Sequence, residues 1–177
     1  MPHPRLLLAL ALPAALAGTG RAAEVLRPEP PQVHATRLSQ APVIDGKLDE
    51  PLWKDAAVIT DFRQIKPGDG TPVSERTEVR VGFDKDNLYI GAYMFDRRGP
   101  DAITASVMKH GSRLPDDDRL GIILDPFGTG RGAYRFEVNL NGVRNDMLYQ
   151  GGQPQGEWTV IWEAAASLTD DGWSAEI

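Results

Sequence analysis

The feature that most constrains the fold is the alternation of apolar and polar residues at every second position, in short runs separated by turn residues. In one run Val79, Val81 and Phe83 alternate with polar or small residues, and residues 134–140 and 173–177 repeat the pattern. A period of two places one set of side chains on one face of a β-strand. Short alternating strands with frequent turns predict an all-β chain folded as an antiparallel β-sandwich of the immunoglobulin or jelly-roll type.

Turn residues between the runs predict three hairpins. Asp84–Asn87 joins a strand ending at Phe83 to a strand over Leu88–Asp96, and Asn141-Gly142 separates a strand ending at Leu140 from Val143–Tyr149. Asn-Gly is a strong hairpin signal because both residues tolerate a positive φ. Asp170-Asp171-Gly172 predicts a third hairpin, between Trp162–Leu168 and Trp173–Ile177.

Two segments depart from the alternation. The run Leu120–Leu124 is largely apolar, which predicts a strand buried on both faces. Residues 49–55 begin with Asp-Glu-Pro, which predicts a short helix with Asp49 as its N-cap and Pro51 in its first turn.

The N-terminal residues have the pattern of a secretory leader. Arg5 precedes the apolar stretch Leu6–Ala17, and Gly20-Arg21-Ala22 supplies small residues at a cleavage site. We therefore expect a signal peptide over residues 1–22, a linker and lead-in strand over 23–39, and a β-sandwich over 40–177. The last strand stops within its alternation at Ile177, so we expect the sandwich to be truncated at its C-terminus.

Composition and charge exclude several functional classes. The sequence contains no cysteine, which excludes disulfide scaffolds and cysteine-ligated zinc. Loss of Arg5 and Arg21 with the leader changes the net charge from −6 to −8. Because a negative surface repels phosphate backbones, we expect no nucleic-acid partner.

Motifs along residues 40–177 resemble the family 9 carbohydrate-binding modules. These are the segments Val43–Trp53, Thr77–Asp84, Asn87–Asp96, Asp117–Asp125, Phe136–Asn139, Asn141–Val143 and Gly172–Ile177. The resemblance implies a β-sandwich that binds a polysaccharide without catalysing a reaction, and that is commonly attached to glycoside hydrolases acting in polysaccharide catabolism. It also implies structural calcium in some members.

A narrower resemblance is to the N-terminal module of bacterial exported proteins of unknown function, whose C-terminal domain is predicted to form an outer-membrane-type β-barrel. The segments that carry this resemblance are Gln64–Pro67, Asp125–Phe127, Arg131–Tyr134 and Trp158–Trp162. It implies a periplasmic, outer-membrane or cell-surface location in a Gram-negative-type bacterium, and a further C-terminal domain, either a barrel or a hydrolase. The alternative function is therefore a structural module that packs on the barrel and binds no sugar.

Sugar binding requires flat aromatic rings with polar groups at their rim. Trp158 and Trp162, four residues apart, would share one face of a strand and form a platform or, alternatively, cover the sandwich. Pro115 stands where sugar-binding members of the family have a clamping aromatic, and from this segment we add Arg113 and Asp116 to the sugar-binding candidates. Trp53 and Trp173 are expected in the core.

Acidic residues suggest a metal site more than a catalytic site. Calcium binds six to eight oxygen ligands, and Asp96, Asp117, Asp118 and Asp125 lie at predicted strand ends where carboxylates converge. The alternative is that they are solvated turn residues. Glu137 is expected to be exposed because it points away from Phe136 and Val138. Nothing in the sequence pairs two carboxylates as a glycosidase requires, so we expect no enzymatic activity.

Overall fold

The computed structural model describes residues 32–155 and 158–177, which form two mainly antiparallel β-sheets facing each other. The predicted signal peptide and most of the predicted linker lie outside these residues. The strands are β1 (Thr36–Arg37), β2 (Ala57–Ile59), β3 (Thr77–Phe83), β4 (Leu88–Phe95), β5 (Arg119–Leu124), β6 (Gly132–Asn139), β7 (Arg144–Gln150), β8 (Gln153–Gln155), β9 (Ala165–Thr169) and β10 (Gly172–Glu176). The predicted β-sandwich is confirmed.

The larger sheet has six strands in the order β1-β3-β4-β10-β9, with β2 also pairing with β3. All of its pairs are antiparallel except β1 with β3. The smaller sheet has the order β5-β6-β7-β8 and is antiparallel throughout. All three predicted hairpins are present, although the first strand of the last one begins only at Ala165.

The core between the sheets combines alternating residues of both. It contains Val79, Ile90, Ala92, Leu120, Val138, Trp173 and Ala175, all buried. Burial of a large apolar side chain contributes about 1.5–3 kcal/mol to stability, so this layer holds the two sheets together.

A second cluster covers the outer face of the six-stranded sheet. The helix α1 (Pro51–Asp55) brings Leu52 and Trp53 onto the sheet, where Leu38, Ala56 and Tyr89 join them. Trp53 is only 1% exposed, which confirms its predicted place in the core. Gly91 leaves the space that Trp53 and Leu48 fill, since a Cβ there would lie 2.6 Å from Leu48 Cδ2.

Two local predictions are wrong. The helix begins at Pro51, so Glu50 and not Asp49 occupies the N-cap position, and no side chain caps the helix. The Glu50 carboxylate instead accepts the Val43 N–H at 3.0 Å. The strand β5 is not buried on both faces: it lies at the edge of the smaller sheet, and Ile123 is 65% exposed. Within the described residues, no helix is long and apolar enough to cross a bilayer.

Candidate functional site

The outer face of the four-stranded sheet carries a row of polar side chains. Antiparallel pairing places Arg135 opposite Met147 and Ile123, and Glu137 opposite Asn145. Residues directly opposite each other share one face, so these side chains point away from the core while their neighbours Phe136 and Val138 point into it.

Glu137 is the centre of this row. Its Oε1 accepts hydrogen bonds from Arg119 Nε at 2.9 Å and from the Arg135 guanidinium, and its Oε2 accepts one from Asn145 Nδ2 at 2.8 Å. Its side chain is only 3% exposed. The prediction that Glu137 is exposed is therefore wrong, because the strand parity is right but Arg119, Arg135 and Asn145 cover the carboxylate. Buried charges need such partners, since an unpaired one costs several kcal/mol.

A groove of about 230 Å³ lies over this network. We call it the outer groove, and it is lined by Arg113, Leu114, Pro115, Arg119, Arg135, Glu137, Met147, Tyr149 and Pro154. Its apolar part comes from Leu114, Met147 and the Tyr149 ring, and its polar part from the arginines and Glu137. Ligand sites typically combine apolar surface with a few fixed polar groups in this way.

A second depression, of about 380 Å³, shares Tyr149 with the outer groove. We call it the adjoining groove, and it is lined by Ile123, Asp125, Gly130, Arg131, Gly132, Ala133, Tyr149 and Gly152. Tyr149 lines both depressions, and its hydroxyl accepts a hydrogen bond from Arg135 Nη1 at 3.3 Å. A half-buried tyrosine thus lines two largely apolar depressions, each with charged side chains in its lining.

The wall of the outer groove is tied to the sheet by Arg119. Its guanidinium donates to the carbonyl oxygens of Leu114, Pro115 and Asp117, the last two at 3.3 and 3.2 Å. The same guanidinium contacts Glu137. The loop before β5 and the groove floor are therefore fixed relative to each other.

Asp117 anchors the same loop from the other side. Its Oδ1 accepts hydrogen bonds from the Ser106 N–H and hydroxyl, and its Oδ2 accepts them from the Val107 N–H and from Asn139 Nδ2 at 2.7 Å. Burial alone would raise the pKa of Asp117, but these hydrogen bonds outweigh it and lower the pKa from 3.8 to about 2. Asp117 is therefore an ionised structural anchor.

The sugar-binding candidates from the sequence fall in different places. Arg113 lines the outer groove, as does Pro115. Asp116 is exposed beside them and does not belong to the lining of the described groove. Trp158 and Trp162 lie on the opposite, inner side of the same sheet. The structure thus brings Arg113 to the groove but separates it from both tryptophans.

Trp158 and Trp162 pack against inward-facing rings of β6. Trp158 lies 5.2 Å from Tyr134 and 6.3 Å from Phe136 between ring centroids, and Trp162 lies 5.1 Å from Phe136. Both are half-buried, and residues 158–164 form no strand. The expectation that they share a strand face is wrong, and both rings pack against the sandwich.

Trp162 also lines a cleft of about 540 Å³ between the two sheets. We call this the inner cleft. Most of its lining is apolar, with Ile90, Ile122, Phe136 and Ile177 among its residues. Ile161, at its edge, is fully exposed.

The four carboxylates proposed for calcium already accept hydrogen bonds from the chain. Asp96 binds the Arg98 guanidinium at 2.7 Å, Asp118 accepts the Thr104 N–H, and Asp125 accepts the N–H groups of Phe127 and Gly130. Among residues 32–155 and 158–177, no three acidic or histidine side chains converge in a way that would hold a metal ion. Within the described residues, Asp96, Asp117, Asp118 and Asp125 are thus not gathered into the set of six to eight oxygen ligands that calcium binds.

Sequence reasoning missed the groove residues Arg119, Arg135, Glu137 and Tyr149. A signal for two of them was present, since strand parity places Arg135 and Glu137 on the face opposite Phe136. Tyr149 joins that face only through the observed register of the β6–β7 hairpin. The contribution of Arg119 has no sequence signal that we can identify, since its side chain reaches across from the edge strand.

Comparison with solved structures bears on the fold. The chain is similar to a carbohydrate binding module family 9 (CBM9) from Caldicellulosiruptor kristjanssonii in complex with cellotriose, with a TM-score of 0.52 and 18% identity, over 80% of this chain and 63% of that chain. The chain therefore spans less than two thirds of the length of that structure. No protein-family model and no curated protein matches the sequence. The chain has a CBM9-like β-sandwich fold, as the sequence motifs predict.

Proposed function

We propose that this CBM9-like sandwich is a non-catalytic carbohydrate-binding module whose ligand lies in the outer groove. The observation that carries the proposal is the half-buried Tyr149 ring beside polar side chains held by Glu137. Sugar rings have apolar faces that stack on aromatic rings and hydroxyl groups that bond to fixed donors and acceptors at the rim. The complex of the similar module with cellotriose supports an oligosaccharide as the ligand.

The hydrogen bonds of the groove supply the rigidity that this chemistry requires. Arg119 and Arg135 are fixed by Glu137, and Arg119 is also fixed by loop carbonyls. Each guanidinium has five N–H donors, so those not used by the protein are available to sugar oxygens. Groups that are ordered before binding lose little entropy when the ligand arrives. A groove of this kind binds and orients a sugar and supplies no acid–base pair for its cleavage.

The wider role follows from the sequence motifs. We propose that the chain is exported through its leader to the periplasm or outer membrane. There it would hold a polysaccharide near an attached domain, such as a glycoside hydrolase, used in polysaccharide catabolism.

Isothermal titration of the chain with cello- and xylo-oligosaccharides tests the binding. We expect Tyr149→Ala to weaken binding about three- to tenfold, the loss of an aromatic contact of about 0.5–1.5 kcal/mol. The matched control is Tyr93→Ala, which removes a half-buried tyrosine from the six-stranded sheet. Equal weakening by both variants would place the ligand elsewhere. No heat of binding at millimolar sugar would refute the function.

One observation favours the alternative function, a structural module that packs on an attached outer-membrane barrel domain and binds no sugar. Ile161 is fully exposed and Val160 is 44% exposed beside the apolar inner cleft. Exposed apolar patches are typical of surfaces that another domain covers. This alternative predicts that no oligosaccharide gives a heat of binding in the titration above, either with the unchanged chain or with Tyr149→Ala.

A further inference from the structure

The two grooves on the outer face concentrate positive charge in an acidic protein. Four arginines line them, against the two carboxylates of Glu137 and Asp125. The whole chain has 25 acidic and 19 basic residues, with a net charge of −6. The grooves therefore carry a local excess of positive charge that is opposite in sign to the rest of the molecule. These arginines are Arg113, Arg119, Arg131 and Arg135.

Two of these arginines are structural as well as positive. Arg119 and Arg135 share the single carboxylate of Glu137, so one positive charge of this trio is not neutralised. Their side chains are about a third exposed. The shared carboxylate holds both guanidiniums at the groove floor while leaving part of each open to a ligand.

The other two arginines line different grooves. Arg113 lines the outer groove and Arg131 lines the adjoining groove, and both are exposed. Neither guanidinium forms an ion pair or hydrogen bond with another side chain in the part of the chain that the structure describes. About 10 Å of extended strand separates Gly132, next to Arg131, from Arg135. The positive charges are thus spread along a surface longer than a single sugar ring.

We propose that the ligand of this site is an acidic glycan whose sugar rings carry carboxylates, a uronic acid polysaccharide. The inference rests on the proposed sugar-binding function and names its substrate class. A guanidinium matches a planar carboxylate with two parallel hydrogen bonds. Tyr149, between the two grooves, provides the ring on which a sugar stacks, and Arg113 and Arg131 bind carboxylates of sugars on either side of it.

Neutral sugars would use the same groove less well. Their hydroxyl groups are neutral acceptors, so a guanidinium gains from them neither the attraction of opposite charges nor the two parallel hydrogen bonds that a carboxylate accepts. A neutral ligand would also leave the exposed guanidiniums of Arg113 and Arg131 without a charged partner. The arrangement therefore favours carboxylated over neutral chains of the same length.

The test is titration of the full chain with three oligosaccharides of equal length. These are a galacturonic acid oligomer, a cello-oligosaccharide and a sulfated cello-oligosaccharide. We expect the uronate to bind at least tenfold more tightly than the neutral chain, and its affinity to fall as salt is raised to about 0.15 M because the contacts are ionic. Arg113→Gln and Arg131→Gln should each lower uronate affinity about three- to tenfold and lower neutral-sugar affinity by a clearly smaller factor.

Arg37→Gln is the matched control, since Arg37 is an exposed arginine on the six-stranded sheet. It should leave the uronate affinity unchanged. Neutral and carboxylated chains that bind equally would overturn the substrate class and leave sugar binding intact. A preference for the sulfated chain would also overturn it. If none of the three binds, sugar binding itself fails.

Discussion

Asp117 is the side chain whose replacement tests most directly how the loop beside the groove is held. Four donors surround its carboxylate: the Ser106 N–H and hydroxyl, the Val107 N–H and the Asn139 amide, at 2.7 to 3.1 Å. In Asp117→Asn one oxygen becomes an NH2 group. That group cannot accept a hydrogen bond, so at least one buried donor loses its partner. The change keeps the shape of the side chain and removes its charge.

The size of the effect follows from the pKa of Asp117. It lies at about 2, against an ordinary value of 3.8. Each pKa unit corresponds to about 1.4 kcal/mol, which sets an upper limit of about 2–3 kcal/mol for the stabilisation. Solvent near the loop screens part of this interaction, so we expect Asp117→Asn to lower the free energy of unfolding by about 1–2 kcal/mol at neutral pH.

The stabilisation by Asp117 depends on pH, and the direction of the change follows from its pKa. The pKa is lower in the folded than in the unfolded chain, so the stabilisation is present above about pH 4 and is lost as the pH falls toward 2. Urea unfolding of the unchanged chain and of Asp117→Asn, at neutral pH and at about pH 3, measures this stabilisation. The difference in free energy of unfolding between the two proteins should fall to about half of its neutral-pH value at about pH 3.

Asp116→Asn is the matched control, because Asp116 is the exposed neighbour in sequence. Its effect should stay within about 0.5 kcal/mol, as for most surface substitutions. The reasoning is refuted if Asp116→Asn costs as much as Asp117→Asn. It is refuted equally if the gap for Asp117→Asn is the same at both pH values.

Two further predictions concern the six-stranded sheet. Burial raises the pKa of Glu176 despite hydrogen bonds from Trp53 and loop N–H groups, so this residue contributes increasing stability as the pH falls through its folded pKa. Glu176→Gln should remove that contribution from the pH dependence of thermal unfolding; an unchanged profile would contradict it. Gly91→Ala should cost about 1–3 kcal/mol because the added Cβ would lie 2.6 Å from Leu48 Cδ2. Gly121→Ala, whose Cβ would meet only Glu137 at 3.9 Å, should stay within about 0.5 kcal/mol in the same urea titration.

The parts of the fold that follow from local chemistry were predictable from the sequence. The turn at Asp84–Asn87 is stabilised by Asp84 Oδ1, which accepts the N–H groups of Asp86 and Asn87. A short-range signal of this kind is complete within four residues. Alternation then assigns the inward face of the strand before the turn, and Val79 lies in the core.

What the sequence did not predict depends on which strand neighbours which. An apolar run such as Leu120–Leu124 is consistent with a central strand, yet β5 lies at an edge and turns Ile123 outward. Parity correctly places Glu137 opposite to Phe136. Parity does not tell whether the carboxylate on that outer side meets solvent or a network of arginines. Here the neighbouring strand β5 supplies Arg119, which binds the carboxylate. Burial of a charged residue is therefore a property of the sheet and not of the strand.

The position of Tyr149 shows how a distant contact decides the site. A two-residue turn at Asn141-Gly142 would pair Leu140 with Val143, and thereby place Tyr149 opposite Tyr134 on the inner face. In the structure Tyr149 pairs with Ala133, one position away, on the outer face. A shift of one residue moves every side chain of a strand to the other face.

Asn139 accounts for the observed register. Its side-chain oxygen accepts the Val143 N–H at 2.9 Å, and its amide donates to the Val107 carbonyl and to Asp117. Leu140 is thereby included in the loop, which closes through Gly142 at a φ of +71°. Because Asn139 is held by Asp117, a residue of the preceding loop, the placement of Tyr149 in the groove depends on a contact 22 residues away in sequence. Loss of the Asp117 anchor is therefore expected to reach the groove through the hairpin register as well as through the loop that walls it.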